Sequence, residues 1–492
     1  MDLSPLQLLP VLVPKLPLLT REAVRHLLRL SETSKYLDLP SHLTLAVLRS
    51  FLEPTALRSI TESQNLTLQD PGTKGRIWVS KYATPVPLEN DVRGALLSAI
   101  ERLGSPESNH RLPIPELLPV EAEWTGYRKE ASPDSLQPTI SEKEKYDELV
   151  KGCTSKATIL YFHGGAFYLL DPRTYRNTTK KLAKLTGGRL FVVRYRLAPA
   201  HVFPAALLDA LVAYLTLLYP PPDAYHEPIP PEQIVVAGDR FVSCFLQTGL
   251  FANEYSAGGN LSLALTQTIL ELGRQNRRIT WLGEERQVPL PAGVAVNSPW
   301  LDVTLSSPSW AKKENSFDYL PDCNSQFANP QPTCEAWPAK PPRLEKYALD
   351  EYLSHPLVTL VMAGSWKGAP PVYMCTGYER LADEDKFLAG KLHRDGVRVV
   401  FEEFEGMSHC FAMIFTRLPE ARRCLGGWTG FMRKAVEDAA NVAPGGVMIR
   451  ARTLKEESRD LTCLSPFEEA EVQKRVLEQI TRRKCIAEKS KL

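Results

Sequence analysis

The feature that most constrains the fold is a series of short runs, rich in β-branched and aromatic residues, between residues 157 and 404. Segments long enough for a helix separate most of these runs, and such alternation favours a mostly parallel sheet flanked by helices. The runs read ATILYF, RLFVVRY, QIVVAG, GVAVNS, PVYMCTG and VRVVFEEF. We therefore predict an α/β fold built on a central sheet.

The rest of the chain predicts additions to this sheet. Residues 1–125 show helical periodicity between proline and polar breaks, which indicates an N-terminal helical segment. Residues 126–440 form the main domain, and within them 302–371 interrupt the alternation with Pro, Trp and Cys at high density. We interpret 302–371 as an insertion at the rim, in which LEKYALDEYLSH predicts a helix. Residues 441–492 form a tail with a helix in SPFEEAEVQKRVLEQITRRK.

Charge and cysteine content argue against two classes of function. Fifty-nine Lys and Arg stand against 57 Asp and Glu, a net charge of +2 that lacks the basic excess of a nucleic-acid binder. The nine cysteines are scattered without a CxxC pair, and no His cluster has metal-ligand spacing. We expect neither nucleic acid nor a metal as a partner.

The N-terminus MDLSPLQLLPVLVPKLPLLT is apolar but interrupted. Asp2, Lys15 and four prolines break it well short of the ~20 residues that a membrane span needs. We expect no transmembrane span and interpret the stretch as a docking segment. It either packs on its own domain or contacts a membrane surface.

The first motif with chemical content is YFHGGAF, residues 161–167, where a predicted strand ends. Two successive glycines allow the backbone to approach a ligand closely and to aim N–H groups at it, as an oxyanion hole requires. A glycine pair after a strand is also found in ordinary turns. The motif alone therefore leaves both interpretations open.

The second motif is interrupted. The stretch from Gln233 to Leu265 reads QIVVAGDRFVSCFLQTGLFANEYSAGGNLSLAL, and removing Arg240 to Tyr255 closes its flanks into VVAGDSAGGNLSLAL. This is a GxSxG nucleophile elbow centred on Ser256, a tight strand-to-helix turn that exposes the serine hydroxyl. A segment of sixteen whole codons can be translated without shifting the reading frame. Residues 240–255 are therefore either an intron that was retained and translated or a genuine insertion.

Further motifs follow in a fixed order: YRLAPAHVFPAALLDAL, then SPWLDVT, GYERLADED and GMSHCF. Together with the first two motifs they span residues 158–411. In this order they resemble the hormone-sensitive-lipase-like branch of the α/β-hydrolase family, the fold-3 esterases and lipases, of fungal type. The resemblance implies an α/β-hydrolase fold, a cap formed by the N-terminal helices and 302–371, and serine-based hydrolysis without a cofactor.

The resemblance also implies a role for each site residue. Ser256 would be the nucleophile, His409 the general base and Glu379 the acid that orients it, at a position where the family usually has Asp. Asp383 is the alternative acid, and Cys410 replaces a common Gly. The implied oxyanion donors are the backbone N–H groups of Gly164, Gly165 and Ala257.

The chain ends in Ser490, Lys491 and Leu492, the tripeptide of the peroxisomal import signal. This signal is read by an import receptor and does not anchor a protein. We predict peroxisomal localisation after synthesis in the cytosol, with the receptor as a partner.

The combined interpretation is a serine hydrolase acting on carboxylic esters of acyl or small hydrophobic substrates. One alternative is an acyl-CoA thioesterase or acyltransferase, which uses the same triad with another leaving group or acceptor. The other is a catalytically impaired hydrolase fold that binds a ligand, because the nucleophile elbow is interrupted.

Overall fold

The computed structural model describes residues 12–52, 58–104, 112–239, 256–313, 315–328 and 331–489. Twelve strands lie within these ranges. They are β1 (Ile77–Thr84), β2 (Val120–Tyr127), β3 (Thr158–Phe162), β4 (Arg189–Arg194), β5 (Ile234–Gly238), β6 (Ile279–Trp281), β7 (Glu284–Arg286), β8 (Gly293–Asn297), β9 (Val372–Thr376), β10 (Val399–Phe404), β11 (Gly445–Ile449) and β12 (Glu456–Arg459). Strands β6 and β7 form a small ribbon, and the other strands form one sheet.

The main sheet has the order β1-β2-β4-β3-β5-β8-β9-β10-β11-β12. Neighbours from β4 to β11 pair in parallel, whereas β1, β2 and β12 are antiparallel at the edges. Every residue of β3, β5, β8 and β9 is buried, as expected for central strands covered on both faces. The six predicted runs coincide with β3, β4, β5, β8, β9 and β10. The predicted fold class is thereby confirmed.

Helices cover both faces of this sheet and extend beyond one end. In the described ranges they are α1 (Leu16–Leu27), α2 (Leu39–Phe51), α3 (Ile60–Thr67), α4 (Asp91–Leu103), α5 (Glu142–Lys151), α6 (Arg176–Thr186), α7 (Ala205–Leu218), α8 (Ala257–Arg274), α9 (Pro308–Ala311), α10 (Cys323–Ala328), α11 (Ala382–Arg394), α12 (Phe411–Ile414), α13 (Pro419–Asp438) and α14 (Glu469–Lys489). Helix α8 packs against β3, β5 and β8 and against α4 and α7, so its first turn is held at the centre of the sheet. None of the described helices combines the length and apolar character that crossing a membrane requires.

Two boundary regions differ from the prediction. Residues 1–125 are not a purely helical segment, because they contribute β1 and most of β2 to the main sheet. Residues 441–492 are more than a helical tail, because β11 and β12 complete the opposite edge. In both regions the strands are fixed by pairing with distant partners, which local sequence patterns do not reveal.

The predicted helix in LEKYALDEYLSH is wrong: only a single 3₁₀ turn, Asp350–Tyr352, forms there. Two backbone groups of this stretch bond outside it or to a side chain. The Phe203 N–H donates to the Tyr347 carbonyl at 2.7 Å, and the Leu344 N–H donates to Asp350 Oδ1 at 2.7 Å. Tertiary contacts have therefore replaced the helical hydrogen bonds that the local periodicity favours.

Candidate active site

His409 and Glu379 come together at the carboxyl ends of neighbouring parallel strands. Glu379 lies in the turn after β9, and His409 lies in the turn between β10 and α12. His409 Nδ1 is hydrogen-bonded to Glu379 Oε2, and both side chains are fully buried. Since an ionised carboxylate only accepts hydrogen bonds, Nδ1 carries the proton and Nε2 is left as the basic atom. This arrangement suits a general base and the acid that orients it.

The second oxygen of Glu379 is held by three donors. Oε1 accepts from Ser298 Oγ at 2.6 Å, from Thr376 Oγ1 at 2.9 Å and from the Gly377 N–H at 3.0 Å. Burial alone would raise the pKa of Glu379, but its interaction and hydrogen bond with His409, together with the hydrogen bonds from Ser298 and the Gly377 N–H, hold it below its ordinary value. The carboxylate is therefore kept ionised and fixed in orientation. Ser298 begins the quoted SPWLDVT motif, to which the sequence alone gives no role.

Asp383, the alternative acid, has a different environment. It lies in the first turn of α11, where Oδ2 accepts a hydrogen bond from the Ser309 N–H at 2.8 Å. No hydrogen bond joins it to His409 within the described chain. The structure thus brings Glu379 to His409 and uses Asp383 to anchor α9.

Ser256 immediately precedes α8 and is fully buried. Its hydroxyl donates to the Asn297 carbonyl at 3.3 Å, and among the described residues no hydrogen bond joins it to His409. Its backbone angles are φ −75° and ψ 69°, outside the left-handed region. The tight, strained turn of a nucleophile elbow is therefore not formed at Ser256. Residues 240–255, the interruption predicted from sequence, lie outside the described residues.

The junction before α8 is close-packed. A Cβ on Gly258 would lie 2.1 Å from the Phe162 carbonyl oxygen at the end of β3, and a Cβ on Gly238 would lie 2.2 Å from the Gly258 backbone. Only glycine permits these approaches. The first turn of α8 is therefore seated against the ends of β3 and β5, where a nucleophile elbow belongs.

Cys410 lies next to His409 Nε2, the ring atom that must accept the proton of the nucleophile. Its Sγ lies 3.7 Å from His409 Nε2, within hydrogen-bonding range for a thiol. Cys410 adopts φ 51°, a left-handed conformation that is unstrained for glycine and costs other residues about 1–2 kcal/mol. The thiol therefore contacts the basic atom that a serine hydroxyl must reach.

The loop after β3 contains the predicted oxyanion glycines. Gly165 adopts φ +109°, and a Cβ there would lie 2.3 Å from the Leu169 carbonyl oxygen, so this turn requires glycine. The N–H groups of Gly165 and Ala257 have no hydrogen-bond partner within the described chain. Gly164 differs from the prediction: its N–H donates to Tyr175 Oη at 2.8 Å and is not free to bind an oxyanion.

Buried aromatic rings support this loop from behind. Tyr195 Oη donates to the His163 carbonyl at 2.6 Å, and the two rings stack with centroids 4.4 Å apart. Tyr161 Oη is hydrogen-bonded to Asp239 Oδ1, the last described residue before the interruption. Burial raises the pKa of Asp239 to about 7, outweighing the lowering effect of that hydrogen bond. These hydrogen bonds and ring contacts hold the loop in place. The raised pKa means that the Asp239 carboxyl group, which lies next to the loop, ionises only near neutral pH.

An arginine of the N-terminal helices contacts the chain next to Glu379. Arg49 in α2 donates to the carbonyl groups of Asp318 and Asn315, each at 2.9 Å. Asp318 in turn accepts from the Arg380 N–H at 2.8 Å, next to Glu379. The α2 helix is thus joined to the turn that carries the acid, consistent with a cap over the site.

No group of three or more His, Cys, Asp or Glu residues in the described ranges could hold a metal ion. The predicted import signal, Ser490, Lys491 and Leu492, lies outside the described residues.

Residues 159–413, more than half of the chain, match the family model described as alpha/beta hydrolase fold. An acetyl-hydrolase from Streptomyces hygroscopicus is 27% identical over 279 residues, which span 56% of this chain and 76% of that protein. An esterase from Acinetobacter venetianus is 26% identical over 280 residues, spanning 57% and 75%. A solved esterase from the bacterial hormone-sensitive lipase family aligns with a TM-score of 0.44 and 21% identity, covering 71% of this chain and 99% of that one. The family match includes Ser256, Glu379 and His409.

Proposed function

Because the chain belongs to the α/β-hydrolase family, in its hormone-sensitive-lipase-like branch, we propose that it hydrolyses carboxylic esters with a Ser256–His409–Glu379 triad. Relatives named as an acetyl-hydrolase and an esterase support the class of reaction. The observation that carries the proposal is the buried His409–Glu379 pair, whose basic Nε2 is directed away from the carboxylate. Such a pair is what a serine needs to become a nucleophile.

In the proposed reaction Ser256 Oγ attacks the acyl carbon while His409 Nε2 takes its proton. Glu379 stabilises the imidazolium that results, and the alcohol leaves with that proton. Water then releases the acid by the same steps in reverse order. The N–H groups of Gly165 and Ala257 bind the oxyanion, each donor contributing on the order of 3–4 kcal/mol.

The proposal requires Ser256 to leave its bond with Asn297 and reach His409 Nε2. Closing the GxSxG turn would do this, because Asp239 and Ser256 would then be consecutive. We therefore regard residues 240–255 as foreign to the active enzyme, as expected of a retained intron. The shortened variant lacking Arg240 to Tyr255 is the form in which the triad is proposed to work.

Aromatic side chains support a hydrophobic substrate. Phe167 follows the oxyanion loop directly, and its ring stacks on Tyr347 with centroids 3.5 Å apart. The ring of Trp300, two residues beyond Ser298, lies 6.5 Å from that of Phe167. These fully buried rings favour an apolar acyl or alcohol group over a charged one.

The direct test is Ser256→Ala in the shortened variant, assayed with p-nitrophenyl butyrate. Hydrolysis should fall to background, since the nucleophile is removed. Ser262→Ala is the matched control: Ser262 lies in the same helix and bonds to the Gly258 carbonyl at 2.8 Å, so activity should persist. Unchanged hydrolysis in Ser256→Ala would contradict the proposal. Faster turnover of butyryl-CoA than of the oxygen ester would identify a thioesterase instead.

One observation favours a second candidate for the 492-residue chain. Because Ser256 is not bonded to His409, this form can retain a ligand pocket without catalysis. Calorimetry with a non-hydrolysable ester analogue, alongside the ester assay, separates the two. Binding by an inactive full-length chain supports an impaired hydrolase, and binding with turnover supports an enzyme.

The proposal includes peroxisomal import through Ser490, Lys491 and Leu492. A fluorescent tag on the N-terminus should give a punctate peroxisomal signal, because the tripeptide stays free at the C-terminus. Removing Leu492 should make the signal diffuse. Punctate import that survives this deletion would contradict the assignment.

A further inference from the structure

Helix α1 and its flanking turns expose a patch of large apolar side chains. The residues and their exposed fractions are Val13 52%, Leu16 54%, Val24 50%, Leu27 68%, Leu28 63% and Leu30 67%. Leu16, Val24 and Leu27 are spaced so that they share one face of α1. Val13, in the 3₁₀ turn before the helix, and Leu28 and Leu30, after its end, extend the patch. Other exposed large apolar residues of the described chain, such as Leu88 and Leu136, are separated in sequence. A continuous apolar patch of this kind marks an interaction surface.

The opposite face of α1 explains why the patch faces outward. Glu22 is nearly buried there, and its Oε2 lies 3.5 Å from His42 Nε2 of α2. The rings of His26 and His42 have centroids 4.9 Å apart. Leu19 packs against the core from the same side. The helix is therefore held to the cap by its mixed polar face, and its more apolar face is left to solvent.

The charged residues around the patch indicate which kind of partner it binds. Arg21 and Arg25 flank the patch with side chains 66% and 51% exposed, and Arg29 follows in the exposed turn. Glu22 is the one acidic residue between Leu12 and Leu30. Its carboxylate lies 3.0 Å from Arg21 Nε, 3.7 Å from Arg25 Nη1 and 3.5 Å from His42 Nε2. Because the segment has one carboxylate against three arginines, it keeps a positive charge. Exposed leucines bordered by arginines fit an anionic lipid surface, which offers an apolar layer beneath negative headgroups.

We propose that α1 and its flanking turns dock the protein on anionic lipid bilayers by inserting this patch at the headgroup boundary. Because α1 packs on α2, and Arg49 of α2 holds the carbonyls of Asn315 and Asp318, the docked face belongs to the cap. Docking thus brings the cap to the surface where apolar esters would concentrate. Lipid binding itself does not depend on ester hydrolysis.

The test is flotation of the purified full-length chain with vesicles of phosphatidylcholine containing about one-third phosphatidylserine. The protein should float with these vesicles, while any aggregate sediments. Leu27→Asp/Leu28→Asp should reduce the floating fraction about tenfold, because a charge cannot enter the apolar layer. Leu88→Asp is the matched control, since Leu88 is 96% exposed outside the patch, and it should float normally. Absence of flotation by the parent chain, or equal loss in Leu88→Asp, would overturn the proposal.

A second pair of variants tests the charge. Arg21→Gln/Arg25→Gln should lower flotation several-fold with the anionic vesicles and leave the weaker flotation with pure phosphatidylcholine unchanged. Both side chains are more than half exposed, so folding should be retained, as circular dichroism would verify. Equal binding to both vesicle types would contradict an anionic partner. If Leu27→Asp/Leu28→Asp instead converts a dimer to a monomer without changing flotation, the patch is a protein interface and the proposal is wrong.

Discussion

Glu379 and His409 are in direct contact, whereas Ser256, the residue they are expected to activate, donates within the described part of the chain to the Asn297 carbonyl and not to His409. The acid–base half, Glu379 and His409, lies in short turns after β9 and β10. The nucleophile half, Asp239 and Ser256, lies at the junction of β5 and α8, where sixteen residues intervene.

The difference shows what an active site of this kind requires. The acid–base half forms because each turn is short and continuous with its strand, so parallel neighbours bring the two residues together. The glycines that seat α8 against β3 are equally in place. At the nucleophile half, sixteen residues separate Asp239 from Ser256 in the sequence, and the strained turn that would aim the hydroxyl is not formed at Ser256.

The largest effect on kcat is expected when Glu379, the proposed acid, is replaced. In the shortened variant, Glu379→Gln keeps the shape of the side chain but leaves the imidazolium without a negative partner. By analogy with loss of a triad carboxylate, kcat should fall about 10⁴-fold. Steady-state assays with p-nitrophenyl butyrate measure this.

Asp383→Asn is the control for that variant, because Asp383 bonds to the Ser309 N–H and not to His409. Its effect on kcat should stay below about threefold. Severe loss in Asp383→Asn with a mild effect of Glu379→Gln would show that the acid–base half is wrongly assigned.

A smaller effect concerns the thiol beside the base. Cys410→Gly frees His409 Nε2 from Sγ, 3.7 Å away, and relieves a left-handed conformation. We expect kcat/KM of the shortened variant to rise several-fold, because the base is then open to Ser256. Cys463→Ser, at an exposed cysteine, should leave kcat/KM unchanged. A fall in kcat/KM for Cys410→Gly would mean that the thiol assists the base.

The smallest effect is on thermal stability in the nucleophile half. Burial raises the pKa of Asp239 from 3.8 to about 7, so its contribution to stability is full below pH 4 and is lost as the pH rises through 7. An asparagine at position 239 cannot ionise, so the Asp239→Asn variant avoids this loss of folding stability, which is on the order of 4 kcal/mol at pH 8. The Tm of the variant relative to the parent should therefore rise by a few degrees between pH 5 and pH 8. A Tm difference that is constant with pH would show that Asp239 is not protonated in the folded chain.

The sequence predicts the centre of this molecule better than its edges. Each of the six central strands is a short apolar run bounded by turn residues, and the motifs that follow them lie at one edge of a parallel sheet. The meeting of Glu379 and His409 is predicted from the resemblance of these motifs to the α/β-hydrolase family. The edge strands could not be predicted, because β2 and β11 join the sheet by pairing with β4 and β10, which are remote in sequence, and β1 and β12 then pair with β2 and β11.

Within the site, the supporting contacts are also invisible to sequence. Ser298 and Thr376 hold Glu379 from two different strand ends, and only the fold brings them together. Likewise Tyr175, eleven residues further along the chain, accepts the hydrogen bond of the Gly164 N–H, so this N–H is not available as an oxyanion donor. Such pairings depend on three-dimensional packing and leave no local pattern.

We propose that residues 240–255 interrupt the nucleophile half of an ester hydrolase. The measurement that tests it most directly compares kcat/KM for p-nitrophenyl butyrate between the 492-residue chain and the shortened variant lacking Arg240 to Tyr255. We predict that shortening raises kcat/KM by about 10³-fold or more, since Ser256 then occupies a closed elbow facing His409, and that Ser256→Ala abolishes the gain. Equal activity of the two forms would contradict the account and would show that the active elbow forms around the intervening segment.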